Sequence, residues 1–195
     1  MKENNEDKKN KLFKKINTYI DDNLLDIETR DDLSLEEKSS RIIHIFSATC
    51  AGVAVQPIPF ADIFLLTPIQ AYMATRIASI HGVSVTQASA WQVITDLGKV
   101  VGLGLIAQQL VVGAYKMGLP GLAGFTTIPL VYGMTYAIGQ ILNEMYFRRS
   151  KNKDNLTPKE MKDIWKKMKK EGMKKAKESK EEIKSHGENI KNKND

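Results

Sequence analysis

The sequence predicts an all-helical protein: a membrane-associated bundle with apolar, glycine-rich hairpins at its centre and charged amphipathic helical arms. Three observations carry this. Charge is partitioned along the chain. Residues 1–41 hold 9 Lys or Arg and 11 Asp or Glu, residues 42–147 hold 3 and 3, and residues 148–195 hold 17 and 9. Apolar residues recur at helical spacing in both arms. The uncharged stretches of the centre are too long and too rich in Ala, Gly and Leu for strands. The chain therefore divides into a charged N-terminal arm (1–41), an apolar helical domain (42–147), and a basic C-terminal helix with a disordered end (148–195).

In order, Leu12, Phe13, Ile16, Ile20, Leu24 and Ile27 predict an amphipathic helix over 11–28, broken at Asp31-Asp32. Ser34 and Glu37 form a capping box that starts a second helix near Leu35. Pro57 and Pro59 end it, because each pushes its preceding residue out of helical geometry. A third helix begins near Pro59 or Phe60, contains Pro68, and stops at Gly82. Ser84 with Gln87 caps a fourth helix, expected to reach Leu97. Gly118-Leu119-Pro120-Gly121 is a turn between two uncharged runs, 100–115 and 122–143. Thr157-Pro158-Lys159-Glu160 combines an N-cap, a first-turn proline and a third-position glutamate. It opens a lysine-rich helix expected to reach Lys184, with disorder after His186.

The centre has too few polar residues to cover a soluble core, which leaves lipid, a partner or other copies of the chain to cover it. The uncharged runs are expected to form a hairpin embedded in a bilayer. A hydrocarbon core of about 30 Å takes about 20 helical residues, and Lys99 and Lys116 bracket the shorter run where they could snorkel. Gly98, Gly102 and Gly104 are the candidate positions for close helix packing, since small residues let backbones approach inside lipid. Asp62 and Arg76 are the candidate buried charges. Arg76 is expected to pair with Asp62 or Asp96, or to hold a lipid phosphate. Trp165, Lys166, Lys167, Lys169 and Lys170 form the candidate surface for anionic lipid or an acidic partner. Nucleic acid is the least favoured partner, because no base-stacking aromatic module or zinc pattern accompanies the lysines.

No catalytic apparatus is legible, so the chain reads as a non-enzyme without a cofactor. The sequence has no Gly-x-x-x-x-Gly-Lys-Ser/Thr phosphate loop, and His44, His81 and His186 lack metal-ligand spacing. The single Cys50 lies in an apolar run and suits a small buried hydrophobe in a reducing compartment. No secretory signal is expected, because residues 1–15 are Lys-, Asn- and acid-rich.

Gln56-Pro57-Ile58-Pro59-Phe60-Ala61-Asp62, followed by Thr67-Pro68-Ile69-Gln70, Met73, Arg76-Ile77-Ala78 and Gly82, resembles the GTPase-associated helical domain of unknown function of the 697 series. The closing Thr135-Tyr136-Ala137-Ile138-Gly139 is similar as well. That domain is found behind Era-like GTPase domains and in YcjF-type bacterial inner-membrane proteins. The resemblance covers about 42–147 and implies a bacterial module that works near GTPases, although this chain carries no GTPase domain. The expected role is a membrane-associated scaffold or accessory protein with a GTPase partner in trans, likewise a homo-oligomer. Its expected place is the bacterial inner membrane with both termini cytoplasmic. The alternatives are a soluble self-assembling helical protein that binds a lipid or hydrophobic ligand, and a pore.

Overall fold

A computed structural model describes residues 5–24, 27–54, 62–102 and 123–192. Among these residues there are seven α-helices and no strand. They are α1 (Asn5–Leu24), α2 (Leu35–Ala54), α3 (Asp62–Ile80), α4 (Gln87–Val101), α5 (Ala123–Ser150), α6 (Pro158–Glu178) and α7 (Lys180–Asn192).

Local chemistry sets most of the boundaries. Ser34 Oγ accepts from the Glu37 amide at 3.2 Å, while the Ser34 amide donates to Glu37 Oε2 at 2.9 Å. Two backbone donors that the first turn leaves over are thereby satisfied, and α2 starts at Leu35. The same reciprocal pair at Thr157 and Glu160 starts α6. These bonds, with Arg148, hold the Glu160 carboxyl at about 2. Gly82, at φ +68°, ends α3. The N-cap of α4 is Thr86, which accepts from Ser89 N, instead of the expected Ser84.

α5 is the central element. Ile138, Ile141 and Leu142 are fully buried, as are Ile42, Ile43 and Phe46 of α2 and Ile69, Met73 and Ile77 of α3. α2 runs antiparallel to α5. Gly139 faces Ile43, where an added Cβ would come within 2.8 Å of Cγ1, and Cys50 lies further back beside Thr135. α3 runs parallel to α5. Gln70 Nε2 donates to Thr135 Oγ1 at 3.2 Å, and His81 Nε2 donates to Asn143 Oδ1 at 2.8 Å. α4 returns along α3 after the turn at 81–86. Consequently α2 ends, α3 begins, α4 ends and α5 begins at one and the same end of the bundle.

The basic tail folds back onto this core. α6 is antiparallel to α5: Arg148 Nη2 reaches Glu160 at 2.9 Å near the loop, and Tyr136 donates to Glu171 at 3.0 Å further along. Between them the helices cross at two glycines. A Cβ on Gly133 would meet Lys169 O at 2.7 Å, and one on Gly172 would meet Gly133 Cα at 2.9 Å. α7 crosses α2 in the same way, because a Cβ on Gly52 would lie 2.8 Å from Gly187 N. Neither crossing has room for a methyl group.

Three expectations change here. Of the run 122–143, residues 123–143 lie within α5, and Val131 to Gly139 are all buried by protein, so that part is the axis of the bundle instead of a lipid-facing helix. No helix among the described residues is long and apolar enough to cross a membrane. The partner run 100–115 ends α4 as far as Gly102 and otherwise lies outside the described residues. The segment after His186, expected to be disordered, is helical to Asn192, with Ile190 buried.

Candidate functional site

The described polar chemistry concentrates where α2, α5, α7 and α1 meet. His44 on α2 receives a hydrogen bond on Nδ1 from the Tyr132 hydroxyl at 2.6 Å and donates from Nε2 to Glu182 Oε1 of α7 at 3.0 Å. The acceptor-only carboxylate fixes that ring's tautomer. His186, one turn along α7, has Nε2 at 3.8 Å from the same oxygen, and its Nδ1 is hydrogen-bonded to the Tyr19 hydroxyl of α1 at 2.9 Å. Two phenols, two imidazoles and one carboxylate therefore form a continuous polar seam that ties both arms to the core.

The seam's electrostatics follow from its depth. Burial is the main cause that lowers the His186 pKa, although Glu182 pulls the other way. The Glu182 carboxyl is lowered, first by its bond to His44. Burial raises Tyr132 above its ordinary range, so it stays a neutral donor. Beside the seam lies a cavity of about 390 Å³ lined by Ile27, Ser40, Arg41, His44, Ile45, Tyr132, Tyr136 and Lys175. Among the described residues, no group of three or more His, Cys, Asp or Glu is arranged to hold a metal. The seam links four helices, and both of its hydroxyls are engaged with imidazole.

Arg76 is half-buried, and its described partner is Glu28 and not Asp96. Its Nε lies 2.6 Å from Glu28 Oε1, off hydrogen-bond alignment, so the contact is ionic. Asp96 pairs with Lys99 at 2.8 Å on the surface of α4. Asp62 opens α3, and its side chain lies outside the described residues. Gly102 is a helix cap in left-handed conformation (φ +77°), with nothing among the described residues within 4 Å of an added Cβ. Gly98 is half-buried on α4, and Gly104 lies outside the described residues. Among the described residues, close packing falls on Gly133, Gly172, Gly52 and Gly187.

Trp165 is 5 % exposed and belongs to the core, so its ring is not free to enter a lipid interface. The Lys169 ammonium lies 5.8 Å from the centre of that ring, while Lys166, Lys167 and Lys170 are exposed. The lysine surface is thus real, but its tryptophan faces inward. Sequence reasoning missed the seam because Tyr19 and His186 are 167 residues apart. The one available signal was that both occur on the apolar faces of otherwise charged helices.

No curated protein and no solved structure matched the chain. A family model described as a domain of unknown function, DUF697, matches residues 24–171, from the last residue of α1 into α6. Over three quarters of its length, then, the chain belongs to that family, with most of α1 and all of α7 lying outside the matched region.

Proposed function

We propose that this chain is a membrane-associated helical adaptor of the bacterial inner membrane, docking through one end of its bundle and presenting the rest to the cytoplasm. The observation that carries this reading is where the chain's remaining apolar sequence attaches. Residues 55–61 hold no formal charge and residues 103–122 hold one, Lys116. Both stretches join helix ends found at the same end of the bundle. Uncharged sequence attached at one pole of the bundle suits contact with lipid.

The described helices need not cross the bilayer in this reading, and their apolar faces are already occupied by one another. The role is structural instead of enzymatic: the polar seam fixes helices and offers no reacting group. A GTPase acting in trans is the proposed partner, supported by the resemblance of residues 56–82 to a module found behind GTPase domains.

Flotation of the full-length protein with liposomes tests the reading. The protein is expected to rise with both anionic and zwitterionic vesicles and to stay bound at high salt, because apolar insertion is not screened. Protein that remains at the bottom with both vesicle types, or that is released completely by salt, would overturn it.

A further inference from the structure

The outer face of α6 is exposed and strongly basic, with Lys174 paired to Glu178 at 4.0 Å. Lys159, Lys162, Lys166, Lys170, Lys174 and Lys177 are all exposed. Their spacing of three and four residues places them in one sector of about 120°, over a length of about 27 Å. One acid, Asp163, falls within that sector. The opposite sign gathers where α1 turns into α2: Asp21, Asp22, Asp31, Asp32, Glu36 and Glu37 are exposed there. Arg30 binds Asp32 and is the corner's one exposed cation before Arg41.

The two patches cannot satisfy each other within one chain. Lys175, which lines the cavity shared with Ile27 and Arg41, lies on the inner side of α6. The lysine sector is centred roughly 160° around the helix from it and faces away from the acidic corner. Complementary patches that point in different directions make a heterologous contact between copies. We propose that the lysine face of α6 docks the acidic α1–α2 corner of a second copy of this chain, joining molecules head to tail.

A second copy fits this face better than a bilayer does, and this step rests on the docking reading above. α6 runs along the bundle, so an end-on molecule holds its lysines in a column leading away from the membrane. At physiological salt, charges more than about 8 Å apart through solvent are largely screened. Only the last turn, at Lys174 and Lys177, would come within that distance of head groups. The remaining lysines would face a neighbouring molecule.

Analytical ultracentrifugation of the full chain without lipid tests the pairing independently of membrane docking. The expected result is a mass that grows with concentration at low salt and returns to monomer at high salt. The variant Lys162→Glu/Lys166→Glu/Lys170→Glu and the variant Asp22→Lys/Asp31→Lys/Glu36→Lys should each be monomeric at low salt. An equimolar mixture of the two should associate again, since one then carries two acidic faces and the other two basic ones. Circular dichroism checks that each variant is folded. The proposal is overturned if the wild type stays monomeric at low salt or the mixture fails to associate. It is equally overturned if the lysine variant loses only binding to anionic vesicles while its self-association is unchanged, which would assign the face to lipid.

Discussion

α5 and α6 have opposite compositions and share one interface. α5 is uncharged from Ala123 to Asn143, whereas α6 carries nine lysines in 21 residues. Composition separates them into a lipid-facing span and a solvated arm. In the fold each supplies what the other lacks: α6 lays Ile164, Trp165, Met168, Gly172 and Ala176 toward the bundle, and α5 answers with Gly133 and Tyr136. A helix needs only one apolar stripe to cover a neighbour, so a strongly charged average is compatible with a buried face. Apolar sequence that looks uncovered can be covered by the charged arms of its own chain.

The largest effect expected from breaking this interface is at its bulkiest side chain. Trp165→Ala should cost about 3–5 kcal/mol, the usual range for removing a buried aromatic. Urea unfolding should register the loss. A cost near zero would mean that α6 does not cover α5.

A sharper contrast comes from two glycines of different kinds. Gly133→Ala places a methyl 2.7 Å from a backbone oxygen of α6, so the helices must separate, at about 1–3 kcal/mol. In a domain of this size that corresponds to about 2–12 °C in melting temperature. Gly102→Ala meets no atom of the described residues and should cost about 1 kcal/mol, from its left-handed backbone. Equal melting shifts for the two would remove the distinction between a packing glycine and a capping one.

The smallest effect concerns α7 and pH. Burial lowers the His186 pKa from its ordinary 6.5, so released α7 binds the proton more readily than docked α7. Docking is therefore at full strength above pH 6.5 and weakens as pH falls below it. The Glu182 carboxyl, lowered from 4.5, adds a second loss only at still lower pH. Amide exchange in α7, corrected for the intrinsic rate, should speed up between neutral and mildly acidic pH. His186→Phe should flatten that dependence.

How much of this was legible depends on range. Both capping boxes, at Ser34–Glu37 and Thr157–Glu160, were readable because the partners lie three residues apart. The helix boundaries that follow from them agree with the structure to within a residue or two. The resemblance to the matched family was readable from the Pro57–Asp62 element and the helix after it. What failed depended on knowing which surface covers which. Trp165 on an amphipathic helix looks the same whether its stripe meets lipid or α5. Gly102 and Gly133 look alike until backbone angle and neighbours separate them. Arg76 had two acids in view along the apolar centre, but its partner Glu28 comes from the arm. The break at Ser179 was also missed: Lys180–Asn192 continues the helical pattern with a new direction that spacing alone does not record.

Hydrogen exchange along α5 tests the covering of the apolar centre by the basic tail most directly, on the full-length protein with and without anionic vesicles. Amides from Val131 to Tyr146 should be strongly protected in lipid-free buffer, and vesicles should leave them unchanged, because protein already buries that helix. Rapid exchange in buffer that slows only when vesicles are added would mean that lipid, and not α6, covers α5.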